Sequence, residues 1–423
     1  MTKSSINPHS ISLGRKYALR RAVMVAFCDP LPPEFFTLLA VSDREWRSLL
    51  HWLDTSGLAL YFLNRLQQFK QTNILPQHVH TRLNRNLEDN MCRTHELVTE
   101  AQAIQSGFTQ VGLLFAVLKG FSLWPDSVSR CELRSQLDLD FLIYEEDAGR
   151  ARELLESRGY KLMAISGRTL EFKAEGEINA SMKTLYTAGC AHCVELHLEA
   201  KETGGVSLLQ RVVQRQLCGV WMPVVPPLDQ FIGQAMHLYK HLCSEFTRAA
   251  HILEFRRHVI ARFEDDAFWH ELKSSLQSQP DVCLRLGVIL QLISHVMGDF
   301  APSALTSYTV CRIPPLALLW IDCYAVESAL ASFPGSKLYL LLEQALVTAG
   351  IPSKRPLRNA LLPGRLPTFN YPASASESLR QRSSRLNHRF HFICFRLRFH
   401  VFEGFRFYRE SLRFQQQRDG CVR

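Results

Sequence analysis

Two aspartates, Asp138 and Asp140, lie two positions apart in LDLDFLI at 137–143. Apolar residues alternate with them, and this alternation is typical of a β-strand, in which every second side chain lies on the same face. Both carboxylates would then share one face, while Leu139 and Phe141 point into a core. Hard divalent cations such as Mg²⁺ bind to one or two carboxylates together with substrate phosphates. The segment is therefore a candidate cation site, and its alternative is a solvated pair of acids at a sheet edge.

Glu195 and His197 alternate with apolar residues in a second predicted strand, CVELHLEA at 193–200. Glu195 is the best candidate for a third carboxylate beside the two aspartates, and its alternative is an exposed strand residue. His197 lies on the same face and is a candidate for orienting a ligand or substrate, with a hydrogen-bonded structural histidine as its alternative. This second strand would complete a set of three acids.

Lys119 and Gly120 follow the apolar run LLFAVL at 113–118, which predicts a buried strand. A turn here that opens a helix would place backbone N–H groups and a cation where a phosphate binds. Arg134 and Ser135 precede the aspartates, and they would either contact phosphate or neutralise the acidic pair. These four residues are the nucleotide-binding candidates.

His237 and His241 are four positions apart in a segment with helical periodicity, so they share one helix face. They are a candidate metal pair, but no HExxH glutamate accompanies them. Packing beneath the site is the favoured interpretation, with His241 kept as a supporting candidate. Cys190-Ala-His-Cys193 has the spacing of two zinc ligands but lacks a second pair, which disfavours a zinc site there.

Helical periodicity prevails from about 33 to 110 and again beyond Pro226-Pro227, with shorter apolar and alternating runs between. In the middle region we predict a strand at 113–118, a helix-like segment, a strand at 137–143, a helix at 145–160 and strands at 169–174 and 193–200. The predicted division of the chain is an N-terminal helical region at 1–110, a mixed core at 111–225, a helical domain at 226–350, a Pro/Ser-rich linker at 351–379 and an Arg/Phe-rich tail at 380–423.

The 423 residues are 47 % hydrophobic and 21 % charged, which is typical of a folded chain of two or three packed units. The N-terminal residues lack the apolar run of a signal peptide, and no apolar stretch reaches the roughly 18 to 20 residues of a spanning helix. Twelve scattered cysteines without an export signal are expected to be reduced thiols. We therefore expect a cytoplasmic protein.

The tail from Arg380 to Arg423 contains eleven arginines and three acidic residues, so it holds eight of the nine net positive charges. Net charge therefore gives no support for nucleic-acid binding by the rest of the surface. Four phenylalanines recur at helical spacing in the tail, at positions 392, 395, 399 and 402. Three interpretations remain open, since each uses arginine beside aromatics: packing on the helical domain, binding to an anionic membrane surface, and binding to RNA.

Several of these motifs occur in an order that resembles a known family. LKG comes first, then R-x-x-x-D-x-D with two hydrophobic residues, then a helix that ends at Gly-Tyr, then VELH. Taken together they resemble the uncharacterised nucleotidyltransferase family of the DNA polymerase β superfamily, over roughly 95–260. His237-x-x-x-His241, Arg248 and Glu254 are similar to the helical segment of that family. Lys-Gly stands where the superfamily usually has Gly-Gly or Gly-Ser, and a longer segment separates it from the acids.

The resemblance implies an α+β fold with a small mixed β-sheet core, flanked by N-terminal helices and a C-terminal helical domain. It implies Asp138, Asp140 and Glu195 as metal and catalytic residues, with Lys119 and Gly120 beside a triphosphate. The expected cofactor is Mg²⁺ or Mn²⁺, as two ions. The expected reaction transfers a nucleoside monophosphate from an NTP such as ATP to a hydroxyl of a small molecule, a protein or RNA. The alternative is a catalytically silent module of the same fold that binds a nucleotide or a partner.

Overall fold

The chain forms one mixed β-sheet between N-terminal and C-terminal groups of helices. The computed structural model describes residues 12–174, 184–189, 193–200, 207–352, 356–363 and 378–421. The helices are α1 Leu13–Val25, α2 Asp43–Ser56, α3 Ala59–Gln68, α4 Gln77–Gln110, α5 Ala148–Ser157, α6 Pro227–Leu242, α7 Ala249–Ala261, α8 Asp266–Leu276, α9 Pro280–Met297, α10 Ser303–Thr309, α11 Pro315–Ala329, α12 Tyr339–Val347, α13 Leu357–Leu361 and α14 Leu379–Cys421. The strands are β1 Phe115–Leu118, β2 Asp138–Tyr144, β3 Tyr160–Ser166, β4 Thr169–Ala174, β5 Cys193–Glu199, β6 Val213–Leu217 and β7 Val220–Val224.

The seven strands lie in the order β3-β4-β5-β2-β1-β7-β6. β2 pairs antiparallel with β1 and parallel with β5, and β1 also pairs parallel with β7. The two outer hairpins, β3-β4 and β6-β7, are antiparallel. β2 is therefore the central strand, and the expected small mixed sheet with helices on both sides in sequence is confirmed.

The alternation in β2 and β5 separates an apolar face from an acidic face. Leu139 and Phe141 of β2 pack with Val194 and Leu196 of β5 in a core that also includes Phe108 of α4. The rings of Phe108 and Phe141 meet edge to face with centroids 5.5 Å apart, a favourable arrangement for aromatic pairs. The opposite face of the same strands is left for the acids.

The N-terminal and C-terminal helices share a second core. It joins α1, α2 and α3 to α6 through α12. Several hydrogen bonds link the regions directly. Among them, Arg20 Nη1 donates to the Leu330 carbonyl at 2.7 Å, and Trp52 Nε1 donates to the Ala331 carbonyl at 3.2 Å. α9 is apolar and long enough to span a membrane by length and composition, but 61 % of its 18 residues are buried inside the fold. This burial is that of a core helix.

The structure differs from the sequence-based prediction in three places. The segment between β1 and β2 is irregular with short 3₁₀ turns rather than a helix, because Pro125 lacks an N–H and disfavours helical backbone before it. β3, β6 and β7 were not predicted. Cys131 and Cys218 form a disulfide, contrary to the expectation of reduced thiols, because the loop before β2 approaches the β6-β7 turn. Cys190 to His192 of the zinc-like motif lie outside the described residues.

α14 packs on the helical domain along one face. Phe399, Phe407 and Phe414 are its buried aromatic residues, and the side chain of Arg396 pairs with Glu245 at 2.6 Å. The interpretation that the tail packs on the helical domain is thus correct for this face of α14. The buried set differs from the predicted stripe, because of the four predicted phenylalanines only Phe399 is buried.

Candidate active site

The register of the sheet brings together two of the three predicted acids, Asp140 and Glu195, whereas Asp138 is opposite Cys193. Asp140 of β2 is opposite Glu195 of β5 in the parallel pair and opposite Leu118 of β1 in the antiparallel pair. His197 of β5 pairs with Thr169 of β4, whose hydroxyl lies 3.2 Å from His197 Nδ1. Because alternate residues of neighbouring strands share a face, the carboxylates and the imidazole meet on the side opposite the apolar core.

Lys119 lies at the centre of this group. Its Nζ is 2.6 Å from Asp140 Oδ1, 3.4 Å from Glu195 Oε2 and 3.3 Å from His197 Nε2. His197 Nε2 is also 2.8 Å from Asp140 Oδ1. Asp140 is almost completely buried, whereas the side chain of Lys119 is 31 % exposed. The ammonium therefore reaches the acids from the solvent side.

The turn at Lys119 and Gly120 has unusual backbone geometry. Lys119 has a φ of 45°, a left-handed value that is uncommon for a residue with a side chain. A Cβ on Gly120 would collide with the side-chain amide of Gln136, so this close approach requires glycine. Gln136 Nε2 in turn donates to the Asp138 carbonyl at 2.6 Å. The turn is thus fixed against the start of β2, and it leads into a four-residue 3₁₀ helix rather than an α-helix.

Burial and neighbouring charges shift the pKa values of this group. Burial raises the pKa of the Asp138 carboxyl, and the Asp140 carboxylate raises it further. The hydrogen bond from His197 is the largest cause that lowers the pKa of Glu195 to about 2. Burial acts to lower the pKa of His197, but its hydrogen bonds to Asp140 and Glu195 outweigh burial and raise that pKa. Burial is the first cause of the raised pKa of Asp138 and repulsion by Asp140 the second, and a cation bound beside these carboxylates would offset both.

Three of these side chains could hold a metal ion. Asp140, Glu195 and His197 each offer a ligand atom, and these atoms all lie within 4.8 Å of one another. Asp140 Oδ2 is buried and has no hydrogen-bond partner within the described residues. Carboxylate oxygens suit Mg²⁺ and Mn²⁺, and an imidazole nitrogen also admits transition metals. The donor set and the unpartnered oxygen therefore fit a divalent cation.

Arg134 and Ser135 occupy the loop before β2. Arg134 Nε donates to Glu254 Oε1 of α7 at 3.1 Å, and the Tyr61 hydroxyl of α3 donates to the same oxygen at 2.9 Å. The side chain of Glu254 is 2 % exposed and that of Arg134 is 15 % exposed, so this ion pair is largely buried. Ser135 is also buried. Arg134 thus links the loop before the acids to α7, and Tyr61 of α3 bonds to the same carboxylate.

A cavity of about 280 Å³ adjoins Lys119. Its walls are mainly apolar, and its polar lining includes Lys119, Arg134 and Glu254. His237 of α6 and His251 of α7 also line it. The cavity lies between the sheet and the helical domain, so a ligand in it would contact both.

His251 is a residue that sequence reasoning missed. Its ring lies 5.2 Å from that of His237 and 4.8 Å from that of His241, measured between centroids. The spacing of His237 and His241 within α6 correctly placed them on one face, since their rings are 4.5 Å apart. Helical periodicity within α6 cannot identify a neighbouring residue on α7. The loop between the two helices determines which of their residues lie close together.

Two solved structures are partly similar to this chain. The antibiotic-resistance factor ANT(2'')-Ia is 11 % identical, with 44 % of this chain and 94 % of that chain covered and a TM-score of 0.32. An antigenic nucleotidyltransferase-like protein from Paracoccidioides brasiliensis is 12 % identical, with 51 % and 97 % covered and a TM-score of 0.29. A comparison with curated proteins gave no match.

The family comparison covers more of the chain. The model of the family described as uncharacterised nucleotidyltransferase matches residues 42–298, which is more than half of the 423 residues. The match includes every strand of the sheet and all of the acids described above. The chain therefore belongs to the uncharacterised nucleotidyltransferase family.

Proposed function

We propose that this protein transfers a nucleoside monophosphate from a nucleoside triphosphate to an acceptor hydroxyl, with release of pyrophosphate. Membership of the nucleotidyltransferase family supports nucleotidyl transfer in general. The main structural support is the meeting of Asp140 and Glu195 with Lys119, on the strand face that also includes Asp138. Carboxylates for a cation and an ammonium for a phosphate are the groups that such a reaction requires.

The cation would be Mg²⁺ or Mn²⁺, as two ions, bound by Asp138, Asp140 and Glu195. The unpartnered Asp140 Oδ2 supports this assignment, because a buried carboxylate oxygen without a partner is costly. When bound, the ions would lower the pKa of the acceptor hydroxyl and neutralise charge on the phosphate oxygens. His197 would orient Glu195 and Asp140 through the hydrogen bonds that it makes to both.

Lys119 would bind the triphosphate. Its ammonium neutralises Asp140 and Glu195 in the absence of a cation, and occupation of the acids by a cation would release it toward phosphate oxygens. Gly120 supports this role indirectly, because its lack of a side chain lets Gln136 pack against the turn that positions Lys119. Arg134 and Ser135 stay candidates for nucleotide binding, Arg134 because its side chain also lines the adjoining cavity.

The reaction forms a bond from the acceptor oxygen to the α-phosphorus and breaks the bond from that phosphorus to the bridging oxygen of pyrophosphate. The proton of the acceptor hydroxyl would pass to a carboxylate of this face, either Glu195 or an aspartate. Lys119 would stabilise the negative charge that develops on the phosphate oxygens. The chain's own residues thus orient the triphosphate, accept the proton and offset the charge.

Incubation of the purified protein with each labelled triphosphate, Mg²⁺ and a cell extract as source of acceptor tests the proposal. We expect release of pyrophosphate and a labelled product, both lost in Asp140→Asn. The competing function is a catalytically silent module that binds a nucleotide or partner. That alternative predicts retention of a triphosphate on the protein without pyrophosphate release, and this result would overturn the enzymatic assignment.

We further propose that the free face of α14 binds an anionic membrane surface. Seven of the exposed apolar side chains on α14 recur at intervals of three, four or seven residues, so they form one stripe along the helix: Leu386, Phe390, Leu397, Val401, Phe405, Tyr408 and Leu412. The exposed Arg398, Arg409 and Arg413 lie beside this stripe and would attract anionic headgroups. Leucine and valine insert among acyl chains but do not stack on bases, which favours a membrane over RNA.

A further inference from the structure

Three histidines form a cluster that the proposed transfer reaction does not use. His237 and His241 lie one turn apart on α6, and His251 lies near the start of α7. One ring nitrogen from each lies within 4.8 Å of the others. The acids of the sheet are a separate group, since the described side chains that could share a metal with Asp140 are Glu195 and His197.

We propose that His237, His241 and His251 bind a transition metal ion of the zinc type. Three imidazoles are a known ligand set for Zn²⁺, which then keeps a fourth position for water or another ligand. Two histidines at i, i+4 on one helix with a third from the next helix can surround one ion. Mg²⁺ is excluded as the occupant because it prefers oxygen ligands.

The hydrogen bonding of His251 supports this assignment. His251 is 9 % exposed, and its Nδ1 is buried without a hydrogen-bond partner in the described part of the chain. By contrast, the buried His258 on the same helix has its Nδ1 2.7 Å from Gln234 Oε1. An unpartnered buried nitrogen is unfavourable, and a metal ion would satisfy it.

His241 has the outer contact that metal-binding histidines usually make. The backbone of Phe246 forms a hydrogen bond with its ring. Such a bond to one ring nitrogen fixes the orientation of the imidazole and leaves the other nitrogen for a metal. His241 is therefore held in place by the loop that connects α6 to α7.

The charges around the cluster indicate what the fourth ligand would be. The cationic groups that act on the three histidines are Lys119, Arg134, Lys240 and Arg248. Glu254 offsets Arg134 through the buried ion pair. The remaining positive charge would favour an anionic fourth ligand, such as hydroxide or a phosphate or carboxylate oxygen. The 280 Å³ cavity gives such a ligand access, since His237 and His251 line it.

Metal binding to the purified full-length protein tests the proposal directly. The protein is stripped with a chelator, loaded with Zn²⁺ or Co²⁺, and dialysed in the absence of nucleotide. We expect about one tightly bound zinc per chain and the visible absorption of four-coordinate Co²⁺. His241→Gln and His251→Ala should lose both signals. Asp140→Asn should keep them, as should His295→Ala, a control on the neighbouring helix α9.

Two results would overturn the proposal. One is a wild-type protein that binds neither Zn²⁺ nor Co²⁺, which would identify the cluster as packed neutral rings. The other is a metal signal that Asp140→Asn abolishes and the histidine variants leave intact, since the ion would then lie among the acids. If circular dichroism shows that His251→Ala does not fold, the test uses His237→Gln instead, because His237 is only half-buried. Loss of the metal signals in that variant supports the proposal, and their retention contradicts it. Because no nucleotide is present, these outcomes do not depend on whether the protein transfers nucleotides.

Discussion

Lys119 Nζ lies 2.6 Å from Asp140 Oδ1, where the end of β1 is opposite the start of β2. This contact neutralises the most buried acid of the site with a side chain that solvent still reaches. Arg134 also acts on Asp138, but Lys119 is the ammonium that contacts both Asp140 and Glu195, and the proposed reaction requires that lysine to exchange a carboxylate for a phosphate.

Asp140→Asn and Asp138→Asn should abolish pyrophosphate release and weaken Mg²⁺ binding, because each removes a charged group from the proposed cation site. The fold should persist, since asparagine has nearly the same shape. Asp322→Asn is the matched control, because its side chain is 68 % exposed on α11. Transfer rates and Mg²⁺ titrations are the measurements. Full activity in either sheet variant would refute the site.

Lys119→Met should reduce the transfer rate by about 100-fold, the effect typical of losing one group that stabilises transition-state charge. Lys119→Arg keeps the charge and should retain part of the rate. Initial rates at varied triphosphate concentration give kcat and KM for both variants. Equal rates in Lys119→Met and the unmodified protein would show that Lys119 serves only to neutralise the acids.

Glu254→Gln should lower the free energy of unfolding by roughly 3 kcal/mol, because it leaves the buried Arg134 guanidinium without its partner. The double variant with Arg134→Met should recover part of this loss. Arg152→Ala is the control, since its pair with Glu156 is exposed and contributes roughly 0.5 kcal/mol or less. Urea denaturation measures all four proteins. A Glu254→Gln variant as stable as the control would mean that solvent reaches the pair.

Metal-free protein should lose stability as the pH falls below about 6.5. Burial is the largest cause that lowers the pKa of His237 to about 3 and of His241 to about 4, so the unfolded chain takes up protons that the folded chain excludes. Each such histidine lowers the free energy of unfolding by at most about 1.4 kcal/mol per pH unit until its folded-state pKa is reached.

Denaturation of chelator-treated protein at pH 7, 6 and 5 measures this dependence on pH. His241→Gln removes one titrating ring and should flatten the decline, whereas replacement of an exposed histidine such as His270 should not. A decline that is identical in the His241 variant would assign the proton uptake to other groups.

Val401→Asp and Phe405→Ser should weaken binding to anionic vesicles, because both side chains lie on the exposed stripe of α14. Point changes are preferable to removal of the tail, which would uncover the core beneath Phe407 and Phe414. Trp221→Ser is the control, because that side chain is also 64 % exposed but lies on β7 and not on α14. Sedimentation with anionic and neutral vesicles, and retention of RNA, are measured at two salt concentrations. Retention of RNA alone would favour the nucleic-acid alternative.

Much of the sheet could be predicted because its strands alternate. β1, β2, β4 and β5 lie where apolar or alternating runs predicted them, and the helix after β2 ends before Gly159 as expected. The β6-β7 hairpin was missed although Gly219 between two short runs is a turn signal. In the structure Cys218 and Gly219 form a two-residue turn in which both have positive φ. Three consecutive polar residues, Gln214, Arg215 and Gln216, concealed β6, which tolerates them because it lies at the sheet edge.

The candidate site was only partly predictable. Alternation within β2 and β5 places each acid on a face, but the pairing of β2 with β5 is a long-range contact that no local pattern encodes. The contact of Lys119 with Asp140 follows from that pairing and from the left-handed backbone at Lys119. Likewise, the ion pair of Arg134 with Glu254 joins residues 120 positions apart, so neither sequence segment reveals it alone.

The shared helical core has a consequence for how the chain folds. Trp52 bonds to Ala331 and Arg20 to Leu330, which closes loops of 279 and 310 residues, and the sheet lies within those loops. Contacts at such sequence separation form slowly because the entropy lost on loop closure precedes any gain. We therefore expect the sheet to assemble first and the two helical groups to join afterwards. Until they join, apolar helix faces are open to aggregation, so refolding yield should fall as protein concentration rises.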